Sequence, residues 1–324
     1  MHLELYQLLS HTPSFATLLA PTGWGKTTLL IKLHEQNYNK ILYFSPLRAL
    51  AQEFAERVDG ICIAKKAEFK QKYEEFNKKQ RAILICTPEV FDFDAFQECD
   101  SNVLIVLDEL HLFYRWGYSF RPYLEEFLYA LSTTQSSVLG LTATLEDDLI
   151  YEWKNYLGSP FKHLYLINVG NLIVSPLLSK KVFYFPILKK KFVKKFLREL
   201  KKKQTLLYFC RYRQEVYDWV NFCHDRGLTA LGCVGGEALK FREQLKKTPN
   251  PHCIFATSTL SHGVNLPDPS KIFISYPVKE KDFWVQMLGR GGRRGQTFEL
   301  HTFDDFDISY GQKLLDSLKH LLGL

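Results

Sequence analysis

No two of the seven cysteines (Cys62, Cys86, Cys99, Cys210, Cys223, Cys233 and Cys253) form a Cys-x-x-Cys pair. An odd count without zinc-type spacing argues against both a disulfide framework and a structural zinc site. Most of the seven sit in apolar, strand-like runs and read as reduced core residues. No apolar run approaches the roughly 18 residues that a membrane span needs. The opening MHLELYQLLSHTPS has no basic stretch leading into an apolar one. The expectation is a cytoplasmic protein with no membrane partner and no zinc. Repeats at solenoid periods and low-complexity tracts are missing too, which sets aside repeat architectures.

What is present suits two packed cores: 46% apolar residues and 15% aromatics in 324 residues. Lysine and arginine outnumber aspartate and glutamate by 42 to 35, a mild bias toward a polyanionic partner. Short β-rich runs alternate with helical patterns, the signature of parallel α/β sheets. One set comprises FATLLA (15–20), KILYFS (40–45), AILICT (82–87), VLIVLD (103–108) and SVLGLTA (137–143). A second comprises KVFYF (181–185), TLLYFC (205–210), HCIFAT (252–257) and KIFISY (271–276), and GNLIVSPLLS (170–179) has the composition of a connector. Residues 180–203 hold eleven basic residues against one acidic, Glu199. Phe192, Val193, Phe196, Leu197 and Leu200 recur there at helical spacing, so the lysines read as the solvent side of an amphipathic helix.

Ala20-Pro21-Thr22-Gly23-Trp24-Gly25-Lys26-Thr27-Thr28 follows an apolar strand and precedes the helical run LLIKLHEQ. It reads as a phosphate-binding loop for ATP, with Thr22, Gly23, Trp24, Gly25, Lys26, Thr27 and Thr28 as candidate nucleotide contacts. Glycines let the backbone curl so that its N–H groups and the helix N-terminus face the phosphates, Lys26 reaches the terminal phosphate oxygens, and Thr27 ligates Mg2+. VLIVLDELH (103–111) places Asp108-Glu109 at the end of another apolar strand. There Asp108 would hold Mg2+ and Glu109 would polarise the attacking water.

With Asp108-Glu109-Leu110-His111, the chain resembles the DExH-box helicases of superfamily 2. The resemblance runs through eight motifs in order, over roughly residues 15–300. Besides motifs I and II they are Ser45 to Leu50 (Ia), Thr87-Pro88-Glu89 (Ib), Thr142-Ala143-Thr144 (III), Leu206 to Arg211 (IV), Ala256 to Pro267 (V) and Gln286 to Arg293 (VI). The resemblance implies two tandem RecA-like domains, each a mostly parallel sheet with helices on both faces. Residues 1–168 would carry motifs I to III and residues 169–302 motifs IV to VI, with 303–324 a C-terminal helical tail packed on the core. ATP-Mg2+ would sit between the two domains, with Gly263 and Asn265 of motif V among its contacts. Arg290 and Arg293 would stabilise charge on the γ-phosphoryl group, and Gln286 would help position water. His111, Thr142 and Thr144 would couple the sites. Pro46, Arg48, Thr87, Arg211, Thr257 and Ser258 would grip one nucleic-acid strand through its backbone, without reading bases.

Motifs Ia, V and VI are similar to those of superkiller-type helicases, a group that includes RNA and DNA motors. After motif II, however, Trp116-Gly117 and Phe120-Arg121-Pro122 resemble the aromatic-rich loop of RecQ-family DNA helicases. By that resemblance Trp116, Phe120 and Arg121 would sense single-stranded DNA. The expected function is an ATP-dependent DNA helicase or translocase that binds single-stranded DNA or a single-stranded tail, moving 3′ to 5′ as the family implies. An RNA helicase or ribonucleoprotein remodeller, and a nucleotide-dependent binding subunit of a larger complex, are the alternatives. The 18 residues between Pro267 and Gln286 leave no room for a strand-splitting hairpin, so the expectation includes a protein partner that supplies a wedge or a nuclease.

Overall fold

The computed structural model describes residues 2–11, 13–21, 23–144, 161–170, 178–183, 188–199, 204–261, 266–278, 281–292, 296–302, and positions 311, 314, 315, 318 and 319 of the tail. The chain divides into two compact units, Met1–Asn171 and Leu172–Leu324, each built on its own sheet. Among the described residues no helix is long and apolar enough to cross a membrane, and all seven thiols are free.

The first unit runs α1 (His2–Leu9), β1 (Ser14–Leu19), α2 (Lys26–Gln36), β2 (Lys40–Phe44), α3 (Arg48–Val58), β3 (Ile61–Ile63), α4 (Phe69–Lys78), β4 (Ala82–Cys86), β5 (Val103–Asp108), α5 (Leu110–Ser119), α6 (Tyr123–Ala130), β6 (Ser137–Thr142) and β7 (His163–Asn168). Its strands lie in the order β3-β4-β2-β5-β6-β1-β7, and every pairing is parallel. Near-continuous apolar runs suit this arrangement, because helices cover both faces of a parallel sheet. Phe44, Leu84, Ile105 and Leu107 join one core with Phe113 and Phe127 of α5 and α6. Their strand neighbours Tyr43, Ile85, Leu104 and Val106 join another with Leu29, Leu33 and Phe54 of α2 and α3. The edge strands β3 and β7 are the least covered, the first 3 residues long with one residue buried, the second with no residue fully buried.

Residues 110–119 are a helix where an aromatic-rich loop was expected. Leu110, Phe113 and Tyr114 recur at helical spacing and are all buried, so burial of that stripe favours a helix. Gly117 permits close passage of α6, since a Cβ there would stand 3.1 Å from the backbone nitrogen of Glu125.

The second unit runs β8 (Leu178–Phe183), α7 (Lys189–Glu199), β9 (Leu206–Phe209), α8 (Arg213–His224), β10 (Ala230–Cys233), α9 (Ala238–Lys247), β11 (Cys253–Ala256), β12 (Lys271–Ile274), α10 (Lys281–Leu288) and β13 (Phe298–Thr302). Its six-stranded parallel sheet has the order β10-β11-β9-β12-β13-β8. One face packs Leu206, Tyr208 and Phe273 against α7 and α8, the other Leu207, Phe209 and Ile272 against Phe241 of α9 and Met287 of α10. On α7, Phe192, Val193, Phe196 and Leu197 are buried, whereas Lys190, Lys191 and Lys194 face solvent and Lys189 pairs with Glu215. Leu200 and most of the expected tail, 303–324, lie outside the described residues.

Gly291, in motif VI, is explained by packing: a Cβ there would lie 2.6 Å from Cγ and Cδ1 of Phe298, a ring itself buried on β13. Gly291→Ala should destabilise the protein by about 1–3 kcal/mol, the usual cost of overpacking a filled core. Urea unfolding read by tryptophan fluorescence will check this, and an unchanged midpoint would show that Phe298 yields without cost.

Candidate nucleotide and nucleic-acid site

Three adjacent strands, β5, β6 and β1, end side by side, and the chemistry gathers at their carboxyl ends. The register pairs Leu19 with Thr142 and Leu141 with Asp108, and the Ala20 N–H donates to the Thr142 carbonyl at 2.9 Å. The phosphate-loop motif, Asp108-Glu109 and Thr142-Ala143-Thr144 therefore meet on one edge of one sheet, although they lie far apart in the sequence.

Gly23 and Gly25 have φ of 83° and 106°, values that side chains resist. They turn the chain from β1 into α2, whose first residue is Lys26. The Lys26 ammonium donates to the Ala20 carbonyl at 3.0 Å, so it is held back over the loop. Trp24 packs on the adjoining core, Thr27 is half-buried and Thr28 exposed. Thr22 lies outside the described residues.

Asp108 accepts a hydrogen bond from the Tyr43 hydroxyl through Oδ2, at 2.5 Å. Burial raises its pKa, while the Tyr43 hydroxyl, the charge of Lys26 and the Glu109 N–H oppose that rise. Glu109 then adopts φ 53°, ψ 50° at the start of α5. A non-glycine residue in the left-handed region costs of order 1–3 kcal/mol, and such strain concentrates at functional positions. Here it turns the chain sharply from the strand into the helix.

His111, 1% exposed, sets Nδ1 2.9 Å from the Thr142 hydroxyl and 3.7 Å from Glu109 Oε2. The Thr142 hydroxyl in turn donates to the Thr144 carbonyl at 2.6 Å. The three residues expected to couple the sites thus form one buried polar chain ending at Glu109.

Among the expected strand contacts of the first unit, Arg121 occupies a central place. Its Nη1 donates to the Pro46 carbonyl at 2.8 Å, Nε donates to Glu89 Oε1 at 3.0 Å, and Nη2 reaches the same oxygen. The guanidinium also lies 5.2 Å from the Trp116 ring centroid. Arg121 therefore joins motifs Ia and Ib to the segment after motif II, and its side chain is engaged within the protein. Trp116 is half-buried against the core, and Phe120, 65% exposed, lies 5.6 Å from it. Arg48 is exposed at the first position of α3, whereas Thr87 is buried.

In the second unit Arg211 is exposed, with its guanidinium 5.4 Å from the ring of exposed Tyr212. Thr257 and Ser258 are half-buried where β11 ends, and the Thr257 N–H donates to the Cys233 carbonyl. Gln286 and Arg290 are both buried. Arg290 lies near Cys233, whose thiol burial and Glu237 push up to about 12 against the pull of that guanidinium. Gly263, Asn265 and Arg293 lie outside the described residues.

Two residues escaped the reading of the sequence as site groups. Tyr43 gave one signal, a buried phenol that must find a partner, but not which partner. Glu89 stood inside motif Ib without indicating that its carboxylate would bind Arg121.

Residues 7–151 match the DEAD/DEAH box helicase family model, and residues 188–295 match the helicase conserved C-terminal domain. The U5 small nuclear ribonucleoprotein 200 kDa helicase of Mus musculus is 32% identical over 171 residues, 44% of this chain and 8% of that protein. The RecQ-like DNA helicase BLM of Xenopus laevis is 24% identical over 330 residues, 93% of this chain and 24% of that protein. Among solved structures, Mss116p bound to ssRNA and AMP-PNP superposes with a TM-score of 0.71 at 17% identity, covering 91% of this chain and 67% of that one. The chain spans less than a tenth of the first curated relatives it matches, 7% and 8%.

Two parallel-sheet α/β units flanked by helices are the RecA-like lobes of the DEAD-box fold. The two family matches in tandem indicate a superfamily 2 helicase core.

Removing the Arg121 guanidinium should loosen the first unit and not merely subtract a ligand contact. Arg121→Ala is expected to lower stability by roughly 1–3 kcal/mol, as for lost hydrogen bonds to a charged group, toward the lower end because the pair is partly exposed. Urea unfolding measures this, and an unchanged midpoint would mean that the ties to Glu89 and Pro46 contribute nothing.

Proposed function

We propose that this chain couples ATP hydrolysis to movement along one strand of nucleic acid, with DNA preferred. The observation that carries the reading is the meeting of Lys26, Asp108, Glu109, His111 and Thr142 at the ends of three neighbouring parallel strands. Phosphoryl transfer is mostly positioning and charge stabilisation, and these groups suit it. The positive-φ glycines and the helix start at Lys26 fit a triphosphate, and a half-buried carboxylate near an ammonium fits its divalent ion. Thr27 and Asp108 would hold Mg2+, whose charge offsets that of the phosphates. Glu109 would orient the attacking water and accept its proton. Through His111 and Thr142, its position would respond to events at motif III. Gln286, Arg290 and Arg293 are the proposed contributors from the second unit.

For the strand, we assign backbone contacts to Pro46, Arg48, Arg211, Thr257 and Ser258. Exposed Phe120 beside Trp116 offers a face on which a base of any identity can stack. The match to the RecQ-like DNA helicase covers 93% of the chain, as does a match to the ATP-dependent RNA helicase DBP3 of Gibberella zeae, so the DNA preference rests on the likeness of Trp116-Gly117 and Phe120-Arg121-Pro122 to the RecQ aromatic segment. A second reading, an RNA motor, is favoured by the fold likeness to Mss116p bound to ssRNA. Movement from 3′ to 5′ follows from the motif resemblance, and a partner supplying a wedge or nuclease is part of the proposal.

Phosphate release measured without nucleic acid, with single-stranded DNA and with single-stranded RNA of equal length tests the reading. Stronger stimulation by DNA supports it, and stimulation by RNA alone overturns the DNA preference. No hydrolysis under any condition would leave a nucleotide-dependent binding subunit. Glu109→Gln should retain ATP binding but lose about 10²–10⁴-fold in turnover, the span expected when a general base is removed. Wild-type turnover in that variant would refute the role of Glu109.

A further inference from the structure

Tyr43 sits in the middle of the site without belonging to any motif. It lies on β2, beside β5, and its ring is buried at 3% exposure. The ring stacks on Phe54 of α3 with centroids 4.0 Å apart and planes 19° apart. The sheet register sets Tyr43 opposite Val106, and because side chains two apart share a face, Asp108 points to the same side. The phenol closes that gap with its 2.5 Å hydrogen bond to Oδ2.

Phenylalanine would fill the same space against Phe54 with no polar atom to bury. What the hydroxyl adds is a donor aimed at the carboxylate proposed to hold the divalent ion. A carboxylate rotates about its last bond, and one that must face a metal gains from having that rotation fixed before the metal arrives. Here the fixing is done by a ring that cannot itself turn away, since it is held between β2 and α3. The hydroxyl takes one carboxylate oxygen, and Lys26 acts on the group from the side of the phosphate loop.

We infer that Tyr43 is a positioning residue for the divalent cation, presetting the Asp108 carboxylate so that Mg2+ binds with the nucleotide at lower concentration. The inference rests on the proposed role of Asp108 in holding that ion. It also places the motif Ia helix in contact with the metal site, because Phe54 of α3 backs the ring that orients Asp108. Arg48, a proposed strand contact, opens the same helix.

The test is a Mg2+ titration of nucleotide binding with AMP-PNP, read as the rise in melting temperature, for wild type, Tyr43→Phe and Asp108→Asn. Melting in EDTA comes first and fixes a temperature at which all three are folded. Binding of a fluorescent nucleotide analogue at that temperature gives a second titration that does not depend on stability. Tyr43→Phe is expected to raise the Mg2+ midpoint about tenfold or more, in the range seen when the hydrogen-bond partner of a metal ligand is removed. Saturating Mg2+ should restore both nucleotide binding and kcat. A purely structural phenol would lower the EDTA melting temperature and leave the midpoint where it was. If Asp108→Asn shifts the midpoint and Tyr43→Phe does not, the inference is overturned while the Asp108 reading stands. If neither variant shifts it, Asp108 does not hold the metal and both fall.

Discussion

Backbone pairing of β6 with β1 on one side and β5 on the other sets the geometry on which the candidate site depends. The alignment of Leu19 with Thr142 and of Leu141 with Asp108 brings three separate stretches of chain to a common edge. Each of those strands is buried on both faces along nearly its whole length, so slipping one by a residue would exchange its two sets of side chains and misfit both cores at once. The register that packs the two cores is therefore also the register that assembles the candidate site. Strain at Glu109 and left-handed glycines in the phosphate loop occur where these rigid strands must release the chain into α5 and α2.

From that edge, two sets of contacts reach outward within the first unit. One is polar and buried, from Glu109 through His111 and Thr142 to Thr144. The other runs over the motif Ia and Ib loops, where Arg121 holds the Pro46 carbonyl and the Glu89 carboxylate together beside Trp116. A helicase core needs its strand grip and its phosphate chemistry to be mechanically related. The first set lies at the proposed nucleotide groups and the second at the proposed strand contacts, both within one unit. The helical form of residues 110–119 changes how the aromatic segment contributes. Phe113 is a core residue, Trp116 is shared between core and Arg121, and Phe120 alone of the three is largely exposed.

The second unit repeats the parallel design with a different surface. The amphipathic α7 buries its aromatic stripe and leaves a row of lysines in water. Exposed Arg211 and Tyr212 stand at the end of β9. A glycine of motif VI also has a packing reason independent of chemistry, since Phe298 fills the space beside Gly291.

The central strands and the turn from β1 into α2 were legible in the amino-acid sequence because each depends on neighbours a few residues away. Apolar runs mark buried strands, and glycines before a lysine mark a turn into a helix. The edge strands β3 and β7 were not anticipated: β3 spans only 3 residues, and the apolar run Leu164 to Ile167 of β7 is short and bounded by His163 and Asn168. The aromatic segment after motif II was read by likeness as a loop, and the burial of its own helical stripe decided otherwise. Tyr43 and Asp108 are 65 residues apart, and Arg121 and Glu89 are 32 apart. Such pairs leave no local trace, since a phenol or a carboxylate shows only that it needs a partner, and the folding of the sheet chooses which one it meets.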